Sequence, residues 1–189
     1  KVVVFEAFPH LHHPSIRQAL EMVESGALGD VQFINGRGYF RLPPDDLDNI
    51  RLKPELGGGS LWDIGVYPVS LAITVAGVGA PVEVWGSQIT GDTGVDIAFA
   101  GQMRFANDVT AQISSGICSP RNRGLVIVGE DGMLELGHPT IPMDVAGKKM
   151  KIEHTTSGGE KKTIVTPAAN AYQMEVDALV ACVLDKAKP

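Results

Sequence analysis

Residues 82–117 read VEVWGSQITGDTGVDIAFAGQMRFANDVTAQISSGI. Three runs rich in β-branched and apolar residues, Val82–Thr90, Val95–Phe105 and Val109–Ile117, are separated by Gly, Asn and Asp, the residues that supply turns. The spacing predicts three strands in series. Downstream the texture persists. Leu125–Gly129 and Met133–Leu136 read as short strands, and Lys148–Thr155 with Lys161–Thr166 reads as a hairpin around Ser157-Gly158-Gly159. An amphipathic helix over Ala168–Lys186 follows, with Tyr172, Val176, Leu179, Val180 and Val183 on one face.

Upstream the pattern is different. Val2–Phe8 is apolar and reads as a buried strand. Pro14 opens a helix whose stripe is Ile16, Ala19, Leu20 and Val23 and whose end is Gly26. Val31–Leu42 alternates as a long strand. Pro43–Leu56 has prolines and acids without a period and reads as a loop, a length that is often functional. Ser60 is placed to cap a helix running to Ala76 and stopped by Gly77. Two early helices, a run of strands and a last helix give an α+β fold: an open, mixed, largely antiparallel sheet with helices on one face. No internal repeat or low-complexity tract is present.

The chain has 189 residues, 44% hydrophobic and 20% charged, which suits a globular domain with a substantial core. A net charge of −6 disfavours nucleic acid and acidic membrane surfaces as partners. Lys148, Lys149 and Lys151 sit on an expected hairpin edge, where lysines are commonly solvated. Two cysteines, Cys118 and Cys182, without CxxC spacing, argue against a disulfide scaffold and fit a reducing, cytoplasmic setting. No apolar run approaches the length of a membrane span. The beginning, KVVVFEAF, lacks a methionine and a signal-peptide pattern, and the end, KAKP, follows directly on a helix. The expectation is a piece of a longer chain.

The chemistry concentrates in residues 53–72, KPELGGGSLWDIGVYPVSLA. Gly57-Gly58-Gly59 lacks both the Walker pattern and GxGxxG after a strand, so the glycines either turn the backbone into the helix or let it approach a ligand. Asp63 and Tyr67 are four apart and share a helix face. In one reading they are a core pair, the phenol satisfied by the carboxylate. In the other, Tyr67 moves a proton and Asp63 orients it. A phenol with a pKa near 10 then needs a cationic neighbour, and none stands at helical spacing. Arg51 and Lys53 precede the glycines and are candidates to hold an anionic or polyhydroxylated ligand. Trp62 is placed either to stack on a sugar ring or to anchor the core. His10, His12 and His13 do not form a metal motif; His12 and His13 are adjacent and diverge. A substrate contact or loop packing is expected there instead. Arg121 and Arg123 flank a turn and read as surface.

These stretches stand in an order that resembles the Gfo/Idh/MocA oxidoreductase family: EAF followed by HP and a helix, SGALGDV, IRLKPELGGGSLWDIGVYPVSLA, GVDIAFAGQMRFANDVTAQISSG and VIVGEDGMLEL. The resemblance covers nearly the whole chain. It implies a C-terminal substrate-binding and dimerisation domain over residues 9–189, with residues 1–8 the last strand of an N-terminal Rossmann domain that is not in this chain. That domain would carry most of the NAD or NADP site and the family's catalytic lysine, the cation that Tyr67 lacks. The resemblance places Tyr67 and Asp63 as catalytic residues; Arg51, Lys53, His13 and Trp62 stand beside them as candidates for binding the substrate. Gly58 and Gly59 fall against the cofactor, with no metal. Tyrosine at position 67 is similar to the subgroup of glucose-fructose oxidoreductase, dimeric dihydrodiol dehydrogenase and D-xylose dehydrogenase. The implied activity is hydride transfer between NAD(P) and a sugar or related alcohol, in a homo-oligomer formed through the sheet. The alternative is a non-catalytic member that senses a ligand or binds a protein. His10 and Leu11 depart from the aromatic and arginine that the family commonly places before HP.

Overall fold

A computed structural model describes residues 2–4, 6–137 and 148–185. Helix α1 spans Pro14–Glu24, strand β1 Val31–Arg41 and helix α2 Val66–Ala76, the last entered through a five-residue π-helical turn, Leu61–Gly65. Seven strands follow: β2 Glu83–Thr90, β3 Asp96–Arg104, β4 Thr110–Gly116, β5 Cys118–Gly129, β6 Gly132–Leu136, β7 Met150–Thr156 and β8 Lys161–Thr166. Helix α3, Ala171–Leu184, comes last.

The strands form one open sheet in the order β2-β3-β4-β1-β5-β6-β7-β8. Only β1 and β4 run parallel among the described pairs. The α+β expectation is met: the sheet is mixed and largely antiparallel. Its covered face supplies Ile34, Ile113, Leu125, Ile127, Leu134 and Ile152, which pack with Ile16 and Ala19 of α1 and Leu71, Ala72 and Val75 of α2 in one core. Two glycines in β1 set the height of α2 above the sheet. A Cβ on Gly36 would stand 2.7 Å from Pro68 Cβ, and one on Gly38 would stand 2.8 Å from an Ile64 side-chain carbon. Their absence lets the site-bearing helix lie directly on the backbone of β1.

Several expectations are corrected. Val2–Phe8 forms no strand among its described residues, and Val2 is 90% exposed; it takes no place in the sheet, whose edges are β2 and β8. Phe5 lies outside the described residues, as does Lys186 at the expected end of the last helix. Strand β5 begins at Cys118, seven residues earlier than its apolar pattern, because Tyr39 and Arg41 of β1 pair with Asn122 and Cys118. The apolar face expected on α3 is open: Tyr172, Val176, Leu179, Val180 and Val183 are all exposed, and the helix buries Ala171 and Cys182. Asn170 starts this helix, accepting from the N–H groups of Tyr172 and Gln173. Finally, Pro54–Ala76 is 23 residues long with a window of mean hydropathy 1.2, enough by length and composition to cross a membrane. As an uninterrupted apolar run it is short, because Asp63, Tyr67 and Pro68 break it; half of the window is buried inside the fold, as in a core helix.

Candidate active site

The segment leading into α2 is ordered by its own backbone. Asn49 caps a 3-10 turn, Ile50–Leu52, accepting from Arg51 N–H at 3.0 Å, and Pro54–Leu56 makes a second turn. Gly58 N–H then donates to Lys53 O and Gly59 N–H to Arg51 O. A Cβ on Gly58 would stand 2.6 Å from Arg51 O. Gly59 has φ +116°, and a Cβ there would overlap Asp96 Oδ1. The close approach that these two glycines permit in this structure is therefore to the protein itself.

Asp96, at the start of β3, corrects the expectation for Ser60. Ser60 is fully buried with helical backbone angles, and its hydroxyl makes no cap bond; it donates to Asp96 Oδ2 at 2.6 Å. The same oxygen accepts Leu61 N–H at 2.8 Å. A carboxylate from a distant strand thus holds the helix start, where the helix dipole favours a negative charge. The charge already there disfavours a second anion, such as a cofactor phosphate, at the same position.

The π-helical turn carries Asp63, and Tyr67 follows on the first turn of α2. A π-bulge of this kind is frequent at functional sites. Asp63 Oδ1 lies 2.7 Å from Arg51 Nε, an ion pair by proximity in which the N–H does not point along the contact. Arg51 also lies over the Phe40 ring, 5.9 Å from its centroid. The carboxylate is thus turned toward Arg51, and the core-pair reading with Tyr67 is not what the fold adopts.

The Tyr67 ring meets two other rings edge-on: His10 at 5.0 Å between centroids and Phe8 at 6.0 Å. Burial raises the phenol above its ordinary pKa, with Tyr172 and Asp63 acting in the same direction; Arg123 and Arg51 oppose them. Arg123 is the residue that the sequence reading misplaced. It is 5% exposed, in β5 opposite Gly38. The signal was present: Arg123, Leu125 and Ile127 alternate onto one face, and that face is the buried one. His10 is fully buried, and its Nε2 lies 2.9 Å from Ser70 Oγ. Its ring contact with Tyr67 left no sequence signal, because it joins two separate segments.

The remaining candidates fall at varied places. His13 Nδ1 accepts Ser15 N–H at 3.2 Å and pairs with Ser15 Oγ, so this nitrogen serves the start of α1. Burial lowers its pKa. Lys53 Nζ lies 3.5 Å from Asp48 Oδ1, an exposed partner. Trp62 is 71% exposed and is not the core anchor that one reading gave it. With Phe8, Val66, Val69 and Ile73 it lines an apolar groove of about 330 Å³ beside Ser70. Among the described residues, no group of three His, Cys, Asp or Glu side chains is placed to hold a metal.

Residues 16–135 match the family model described as the GFO/IDH/MocA C-terminal domain. The D-xylose 1-dehydrogenase (NADP(+)) 2 of Haloferax volcanii is 32% identical over 183 residues, 96% of this chain and 54% of that protein. Among solved structures, a 3-ketoreductase from Actinomadura kijaniata in complex with NADP and TDP-benzene superposes with a TM-score of 0.88 at 25% identity, over 100% of this chain and 56% of that one. The aldose-aldose oxidoreductase of Caulobacter crescentus, complexed with glycerol, gives 0.84 at 26% identity, over 97% and 54%. The chain spans about half the length of the relatives it matches.

Proposed function

The chain belongs to the Gfo/Idh/MocA family, as the C-terminal domain of its members, and on that premise we propose that it is the substrate-binding half of an NAD(P)-dependent oxidoreductase acting on a sugar or related alcohol. The observation that carries this reading is the setting of Tyr67: a half-buried phenol on a π-to-α junction, beside an Asp63–Arg51 pair and an apolar groove. The named relatives, a xylose dehydrogenase, a sugar ketoreductase and an aldose oxidoreductase, support the substrate class.

The residues present fit one end of a nicotinamide cofactor. Phe8, Trp62 and Val66 offer an apolar wall to a flat ring, whereas the start of the π-helical turn is already taken by Asp96. The diphosphate must therefore be held elsewhere. When bound, the nicotinamide exchanges a hydride with the substrate carbon. The chain's own part is proton movement and placement. Tyr67 carries the proton of the reacting hydroxyl. Burial keeps its phenol protonated, so a further cation, beyond Arg51 and Arg123, is needed for it to act as a base near neutral pH. Asp63, fixed by Arg51, faces substrate hydroxyls as an acceptor. Lys53 stands at the rim.

The open face of the sheet carries Phe33 and Trp85, both more than half exposed. This supports a homo-oligomer formed through that face. The activity is tested with the full-length protein on a panel of aldoses and polyols, followed by nicotinamide absorbance. Turnover that depends on Tyr67 is expected. Turnover unchanged in Tyr67→Phe rejects the assignment.

A further inference from the structure

Resting on the reading of Tyr67 as the proton carrier, we propose that His10 is a positioning residue for Tyr67, locked by Ser70 as the neutral Nε2–H imidazole and seated edge-on against the phenol ring. The tautomer follows from proton counting. Ser70 has one hydroxyl proton and donates it to Tyr67 O at 2.8 Å. Its oxygen therefore meets His10 Nε2, 2.9 Å away, with a lone pair, so Nε2 carries the proton. Nδ1 is then bare. It is buried and has no hydrogen-bond partner among the described residues, so a second proton there would leave a buried cation with an unpaired donor.

The geometry ties both ends of residue 67 to this imidazole. The ring planes of His10 and Tyr67 meet at 73° with centroids 5.0 Å apart, the edge-to-face arrangement that aromatic pairs favour. Phe8 closes the cluster, 5.4 Å from His10. The hydrogen bonds run from His10 through the Ser70 hydroxyl to the backbone carbonyl of Tyr67. Tyr67 stands just past the π-helical turn, where the backbone register changes, so its orientation benefits from a support outside the helix. Burial, aided by His12, holds the imidazole at about 4, well below its ordinary value. A group neutral across the working range is neither a proton shuttle nor the cation that Tyr67 requires.

The test uses the full-length protein labelled with ¹⁵N at histidine. Two-bond proton–nitrogen correlation is expected to show a protonated Nε2 and a bare Nδ1 on His10, unchanged from about pH 8 to about pH 5. A proton on Nδ1, or titration near the ordinary value, overturns the proposal. In kinetics, His10→Phe keeps the ring edge and loses the donor. It is expected to lower kcat by about tenfold with KM within about twofold, and His10→Gln to restore most of the loss. Wild-type kcat in a folded His10→Phe overturns the positioning role. The spectrum needs no turnover, so an inactive wild-type protein defeats the enzyme reading and is recognised apart from a wrong tautomer. If His10→Phe does not fold, the spectrum and His10→Gln still decide.

Discussion

Arg51 Nε lies 2.7 Å from Asp63 Oδ1, so the carboxylate one turn before Tyr67 is held by the preceding loop instead of by the phenol. Burial is the main reason that the Tyr67 phenol is raised; within that setting Asp63 raises it further and Arg51 opposes the rise. Arg51→Met is expected to move the Tyr67 phenol further up, and Asp63→Asn to move it down. Both side chains are partly exposed, so their mutual stabilisation is expected to be at most about 1 kcal/mol in a double-mutant cycle. Alkaline titration of the phenolate absorbance checks the first expectation; shifts of the same sign in both variants would contradict it.

Tyr67→Phe removes one hydroxyl and leaves the ring contacts with His10 and Phe8 available. A positioned proton carrier contributes about 10²- to 10⁴-fold. The full-length variant is expected to lose turnover on that scale while binding the nicotinamide cofactor within about twofold of wild type, as for a group acting in the transition state. Single-turnover kinetics beside cofactor fluorescence titration separates the two quantities.

The sheet was legible in the sequence wherever strands carry period-two alternation between turn residues, as in Val82–Ile117. It was not legible at Cys118–Gly124, where Pro120, Asn122 and two arginines hide a strand that exists through its pairing with β1. Arg123 lies in that gap, and only its alternation with Leu125 and Ile127 marks it as facing the core. At the site, Asp63 and Tyr67 were readable as one helix face, but the partner of Asp63 was not, because Arg51 arrives through two 3-10 turns with no period. Ser60 shows the limit of local rules. Its residue type suits a helix cap, yet burial against Asp96 and Ser115 gives its hydroxyl other partners.

Gly59 and Asp96 form a tight pair that a stability measurement can test. Gly59→Ala places a Cβ against the Asp96 carboxylate at a φ of +116°, a region that L residues rarely adopt. The cost is expected to be about 2 kcal/mol or more, and Asp96→Ala to cost about 1–2 kcal/mol by freeing the Leu61 N–H. The double variant is expected to lose less than the sum, because removing the carboxylate removes the clash. Urea unfolding midpoints with unchanged slopes decide it; strict additivity would contradict the contact.

Trp85, on edge strand β2, is 68% exposed on the face of the sheet opposite the helices, directly across from Gln102 of β3. An oligomer built through this face would bury it. Trp85→Arg is then expected to reduce the mass seen by light scattering at equal concentration, with the circular dichroism of the fold unchanged. A mass unaffected by the substitution places any self-association on another surface.

His10 also makes the fold acid-sensitive in a defined window. Its folded-state pKa of about 4 lies below the ordinary 6.5, so the unfolded chain takes up the proton first as pH falls. Stability is therefore full above 6.5, falls as pH drops toward 4 and is level below it. The loss over that range is on the order of 3 kcal/mol for a group shifted this far. His13, also lowered by burial, acts in the same direction. His10→Gln has no proton to take up, so its unfolding free energy is expected to slope less steeply between about pH 6.5 and pH 4, retaining the His13 part. Chemical unfolding at a series of pH values measures the slope, and equal slopes in wild type and variant would place the titration of His10 outside this window.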